Sequence, residues 1–200
     1  MDTLILASKS PRRREILEQL GIPFTLCAVE IDEEAHFRKS VRSSVMNVAR
    51  KKAEAAAVQY ANGLVLGVDT VVSFKGRVLG KPENAETAAR FLHMLSGNEH
   101  EVLSGITVYN TATGCARSDC SVSAVQFASM SGRDIDRYIA LGEWADKAGA
   151  YAIQGRAALY VRSITGSYYN IVGLPVEKLY TLLKGFTYFR SNGNFLPVRR

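Results

Sequence analysis

A chain of 200 residues with 47% hydrophobic and 22% charged content has ordinary globular composition, long enough for one sizeable core or two small lobes, so intrinsic disorder is not expected. Its apolar runs fall far short of the ~20 residues of a membrane helix, and no basic region precedes Leu4-Ile5-Leu6, so neither a span nor a signal peptide is expected. The formal charge of +6 gathers at Arg12, Arg13, Arg14, at Arg38, Lys39, Arg42 and at Arg50, Lys51, Lys52, which predicts an anionic partner, either nucleic acid or a small polyphosphate.

Apolar runs of strand length alternate with segments of helical period, so the predicted class is α/β or mixed α+β. Leu4 to Ala7 reads as a strand. Ser10-Pro11 then reads as an N-cap followed by proline at the first helical position, and Gly21 stops that helix. A second helix is predicted from about Val41 to Tyr60, followed by the strand LVLGVDTVVSF and a hairpin turn at Lys75-Gly76 into Arg77 to Leu79. Asn84 to Leu95 reads as a helix, residues from about Glu101 to Phe127 as two strands around Asn110 to Gly114, and Ser131 with Asp134 as a capping box. A glycine-rich stretch, Ala148 to Gly155, precedes strands expected near Ala158 to Ile164 and Ser167 to Val172, then a helix from Pro175 to Lys184. The residues after Phe186 read as a loose tail, which leaves one domain over 1–186 and a tail over 187–200.

Four constellations carry chemistry. In LASKSPRRRE a strand feeds a serine-rich turn and a helix start whose unpaired N–H groups favour an anion. Cations are disfavoured at that end of a helix, so stacking Arg12, Arg13 and Arg14 there predicts a phosphate among them, with Ser8 and Ser10 as further donors. The second is Asp69 in the apolar strand GVDTVV, which needs compensation as a metal ligand, as a general base, or by structural donors. The third is Lys52, on the helical stripe of Val45, Val48 and Ala56, with Lys81 in LGKP as a similar candidate and Glu30, Asp32 and Glu33 as an acidic cluster. The fourth is EWADKAGAYAIQG, where small residues admit a close ligand and Gln154 offers a donor and an acceptor to a base edge. Cys27, Cys115 and Cys120 lack metal spacing and fit a reducing compartment, so the expected location is cytoplasmic. His36, His93 and His100 read as surface or helix-face residues.

In that order LILASKSPRRREIL, AxxKA from Ala49 to Ala53, GVDTVV, GKP, LSG, DKAGAYAIQG and YYNIVGLP resemble the Maf, or septum-formation, family of nucleotide pyrophosphatases over about residues 3 to 186. The resemblance implies an α/β fold with an elongated mixed central sheet flanked by helices, two lobes with a cleft between them, akin to the inosine triphosphatase fold, and commonly a homodimer. It implies hydrolysis of a nucleoside triphosphate between the α- and β-phosphates, assisted by Mg²⁺ or another divalent cation such as Mn²⁺. Asp69 matches the family's proton acceptor, and Arg12, Thr70 and Gln154 its specificity positions. Ser8, Arg13, Glu30, Lys52 and Lys81 match positions lining its phosphate and metal site, and Asp32 is an alternative to Glu30.

AGAYAIQG is similar to the dTTP/UTP pyrophosphatase subgroup, whereas the 7-methyl-GTP subgroup carries glutamate at the Gln154 position. A carboxamide complements the N–H and carbonyl of a thymine or uracil imide, and a carboxylate suits the two donors of a guanine edge. Trp144-Ala145 stands where relatives usually have proline and an apolar residue, and the tail has no counterpart. Alternatives to a pyrimidine nucleotide pyrophosphatase are the same reaction on 7-methyl-GTP or another purine, or a non-enzymatic nucleic-acid or division-protein binding module. No recognition-helix, zinc-finger or aromatic RNA-binding motif supports a polymer partner.

Overall fold

Leu4–Ala7 is wholly apolar and wholly buried, and it forms strand β1 inside the sheet. The computed structural model describes residues 3–33 and 40–188. In chain order the other elements are α1 (Pro11–Gln19), β2 (Phe24–Leu26), α2 (Val41–Ala57), β3 (Leu64–Phe74), β4 (Arg77–Leu79), α3 (Ala85–Leu95), β5 (Glu99–Asn110) and β6 (Ala116–Phe127). They continue with α4 (Gly132–Ala140), β7 (Val161–Thr165), α5 (Tyr168–Val172) and α6 (Val176–Gly185). The sheet runs β2-β1-β3-β5-β6-β7, with β4 pairing β3. It is mixed: β1 is parallel to β2 and β3, while β3–β4 and β6–β7 are antiparallel. His36, Arg38, Lys39 and residues 189–200 of the expected tail lie outside the described residues.

The chain divides into two compact units, Met1–Asp69 with Ser104–Cys120 and Gly173–Arg200, and Thr70–Leu103 with Ser121–Val172. In the first, Ile5, Ala7, Cys27, Ala53, Ala56, Ala57 and Val65 form a buried cluster. The helix face here is built from alanines because its backbone lies directly on the strands. A Cβ on Gly67 of β3 would sit 2.1 Å from the Ala49 carbonyl oxygen, and one on Gly105 of β5 would sit 2.1 Å from that of Val45. Two strand glycines therefore set the height of α2 above the sheet. Ser40 caps α2 by accepting from the Ser43 N–H at 3.2 Å.

In the second unit α3 buries Ala88, Leu92 and Leu95, and α4 carries the expected capping box between Ser131 and Asp134. Two expectations fail here. Ser167 to Val172 is not a strand: Ser167 Oγ accepts from the Asn170 N–H at 3.3 Å, and Asn170 Nδ2 donates to the Val102 carbonyl and to Ser123 Oγ, both at 2.9 Å. Those bonds outweigh the strand propensity of Tyr-Tyr-Asn-Ile-Val and wind α5. His100 is not at the surface: it is 2% exposed, whereas His93 is exposed as expected. Tyr188 is 1% exposed, so the start of the expected loose tail is packed. No helix of the described residues is long and apolar enough to cross a membrane.

Candidate active site

The arginine-rich helix start and the aspartate of the apolar strand belong to the same unit. Proline at the first helical position opens α1 without a side-chain cap, and no acidic residue stands in its first turn. The three arginines part company there. Arg14 is exposed and pairs loosely with Glu18 at 3.6 Å, Arg12 is half-buried, and Arg13 turns inward. Arg13 Nε donates to the Gly173 carbonyl and its terminal nitrogen to Ser8 Oγ, both at 2.9 Å. Ser8 Oγ also accepts from the Ser10 N–H at 3.2 Å, so the turn before the helix and the guanidinium hold one another. Burial lowers the Arg13 pKa to about 10, against which the negative charges of Asp69 and Glu33 favour the cation. A guanidinium this deep stays charged at neutral pH and faces acids. A cavity of about 380 Å³ opens at the turn before α1, lined by Ser8, Lys9, Ser10, Pro11 and Arg14 together with Leu26 and Ala28.

Asp69 is 5% exposed on β3. Its compensation comes from α2: Lys52 Nζ donates to Asp69 Oδ1 at 2.9 Å and pairs with Glu33 Oε1 at 2.7 Å. Helical spacing turns Lys52 inward, while its neighbour Lys51 turns out to Glu54 at 2.7 Å. The glycine at position 67 lets α2 approach closely enough for the lysine to reach a carboxylate two residues further along the strand. Glu30 is exposed and is held by Lys9, which keeps its carboxyl below the usual carboxylate range. Of the acidic cluster, Glu33 is thus the residue that shares Lys52 with Asp69, a partnership invisible in the sequence because it depends on where the loop lands.

Among the described residues no three His, Cys, Asp or Glu side chains converge as a metal cluster. Two carboxylates, Asp69 and Glu33, do converge on one ammonium. Mg²⁺ is commonly held by one or two carboxylates plus substrate phosphates and waters, and Asp69 and Glu33 are donors of that kind, each already bonded through one oxygen to Lys52.

Thr70, Lys81 and Gln154 fall in the second unit. Thr70 is half-buried on β3, and Lys81 is exposed just after β4. Gln154 is exposed within a tract held closely by its surroundings. Gly149 adopts φ 68° against Val72, where a Cβ would meet a methyl at 2.9 Å, and its N–H donates to the Gly80 carbonyl at 3.1 Å. That bond ties DKAG to the tract carrying Lys81. The Ala152 N–H donates to Tyr138 Oη at 3.2 Å, and the Arg156 N–H to Glu143 Oε2 at 2.8 Å. A Cβ on Gly155 would sit 2.2 Å from Glu143 Oε2, so any side chain there would displace the carboxylate that holds the Arg156 N–H. Burial pushes the Tyr138 phenol up to about 12, so it is a neutral hydrogen-bonding group.

The mixed-sheet architecture is shared with solved structures. The Ham1 protein of Staphylococcus aureus and a Ham1 protein from Coxiella burnetii each match with a TM-score of 0.52, covering 92% of this chain and 100% of theirs, at 13% and 16% identity. Among curated relatives, a dTTP/UTP pyrophosphatase of Symbiobacterium thermophilum is 45% identical over 188 residues, 94% of this chain and 96% of its own. Proteins of the same name from a Geobacillus species and Salmonella typhimurium are 46% and 44% identical, covering 89% and 96% of this chain and 95% and 96% of theirs. The sequence profile described as Maf-like protein matches residues 3–186, and with relatives this similar over nearly the whole length the chain belongs to the Maf-like family.

Proposed function

We propose that this chain is a nucleoside triphosphate pyrophosphatase that cleaves dTTP and UTP between the α- and β-phosphates, leaving the monophosphate and pyrophosphate. The observation that carries the reading is the meeting, in one unit, of a buried arginine from the helix start, a buried strand aspartate and the lysine that bonds it. The names of the relatives supply the substrate class. In this reading Arg12, Arg13 and Lys52 hold the phosphates, with Ser8 and Ser10 as hydroxyl donors, and Lys81 is assigned to the same task by its match to the family position alone. Asp69 accepts a proton from water as the water oxygen bonds to the α-phosphorus, and the bond to the bridging oxygen breaks to release pyrophosphate.

Asp69 with Glu33 or Glu30 would hold a divalent cation such as Mg²⁺ or Mn²⁺ together with the substrate's phosphates, and that cation would offset the charge that builds on pyrophosphate. Gln154 with Thr70 reads the base, its carboxamide donating to a pyrimidine carbonyl and accepting from the imide N–H, and Arg12 joins them by its match to a family specificity position alone. The role is nucleotide-pool cleaning in the cytoplasm, which the free cysteines Cys27, Cys115 and Cys120 suit, and the family resemblance favours a homodimer. A panel of ordinary and modified triphosphates, assayed with a divalent cation for pyrophosphate against single phosphate, tests the proposal. Pyrophosphate from UTP and dTTP ahead of purines is expected. Release of orthophosphate alone, or retention of nucleic acid without hydrolysis, contradicts it.

A further inference from the structure

We propose that His100 is a positioning residue for base selectivity, fixing through Tyr151 the segment that presents Gln154. The inference rests on the reading that Gln154 contacts the base. His100 points inward from β5 at 2% exposure, and its Nε2 and the Tyr151 hydroxyl form a hydrogen bond of 2.8 Å. The imidazole, Tyr151 and Phe127 close a triangle of edge-to-face rings, with centroids 5.0 Å apart for His100–Phe127, 5.4 Å for His100–Tyr151 and 4.9 Å for Phe127–Tyr151. Tyr151 itself is extended, and the chain then enters a turn closed by the Gly155 N–H donating to the Ala152 carbonyl at 2.9 Å; Tyr151 and Ile153 are buried while Gln154 is exposed on that turn. Tyr151 is therefore the inward anchor of a turn that presents Gln154 outward.

Packing alone does not explain these polar groups. Two phenylalanines would fill the same triangle without desolvating an imidazole and a phenol. His100 Nδ1 has no hydrogen-bond partner among the described residues, so the histidine is a costly choice for stability. Burial lowers its pKa to about 4, which keeps the ring neutral and the bond undisturbed near neutral pH. What the pair adds is direction: one bond defines where the tyrosine ring, and hence the segment after it, must sit.

Tyr151→Phe removes only the hydroxyl, His100→Gln keeps a polar group at the other end, and Gln154→Glu serves as comparator. For each, kcat and KM are measured with UTP and GTP under conditions where the variant is folded by circular dichroism. Loss of one neutral hydrogen bond should lower the UTP-over-GTP ratio of kcat/KM about threefold to tenfold, through KM for UTP, with kcat held within about twofold. Combining Tyr151→Phe with His100→Gln should cost no more than the larger single change. An unchanged ratio in Tyr151→Phe beside a shifted one in Gln154→Glu overturns the role of His100 and leaves the base reading intact. An equal loss of kcat on every nucleotide also overturns it, as general loosening. If Gln154→Glu leaves the ratio unmoved, the base reading falls and this inference with it. Should His100→Gln fail to fold, Tyr151→Phe decides alone.

Discussion

In the first unit the side chains of the chemical centre are held by charge: Arg13 faces Asp69 and Glu33, and Lys52 bonds both carboxylates. Around Gln154 in the second unit the holding groups are mostly neutral: a phenol, an imidazole, backbone amides and glycines, with the Glu143 carboxylate as the exception. A buried charge left without its partner is expensive, so the first arrangement should fail abruptly when one member is removed. A neutral hydrogen bond contributes about 1 kcal/mol, so the second should degrade by degrees and show it in selectivity before turnover.

The sharpest expected break lies at Asp69. Asp69→Asn keeps the shape and removes the base, and steady-state kinetics should give a kcat lowered ~10²–10⁴-fold with little change in nucleotide affinity. Gly67→Ala attacks the same centre from below. Its methyl group would push the Ala49 carbonyl and the backbone of α2 off the strand, and urea unfolding should register a loss of about 3 kcal/mol.

On the neutral side, the pH dependence of stability isolates His100. Its pKa falls from 6.5 to about 4 on folding, so below pH 6.5 the unfolded chain takes up a proton that the folded one refuses until pH nears 4. The fold loses stability as pH falls through that window, by about 3 kcal/mol for this group, and loses none above it. Urea midpoints of wild type and His100→Gln should diverge in pH slope between 4 and 6.5; parallel slopes would contradict the assignment. A gentler effect is expected of Gln154→Glu, a shift in preference from UTP towards guanine nucleotides of about tenfold on a competition assay, with pyrophosphate still the product.

Much of the frame was legible in the sequence, for reasons that differ by element. The apolar runs Leu4–Ala7 and Leu64–Phe74, the Lys75-Gly76 turn and the Ser131 capping box are local signals, and the structure follows them. Asp69 and Lys52 stood out because a carboxylate in an apolar strand and a lysine on an apolar helical stripe each need a partner; they partner each other. What stayed hidden depends on contacts between distant segments. Strand propensity pointed the wrong way for α5, where Asn170 reaches Val102 and Ser123. His100 offered one overlooked signal, the alternation of Glu99, His100, Glu101 and Val102 along β5, which places the imidazole on the buried face. Nothing local could show that Glu33 shares Lys52 with Asp69, or that Gly67 and Gly105 seat α2 on the sheet.

The central claim is that the arginine of the helix start and the strand aspartate act on one substrate as a unit. A double-mutant cycle on UTP hydrolysis with Arg13→Lys and Asp69→Asn measures that coupling directly. If the two act together, kcat/KM of the double variant will fall little below that of the more damaged single. Losses that multiply, or an Asp69→Asn enzyme that turns over like wild type, would contradict the account.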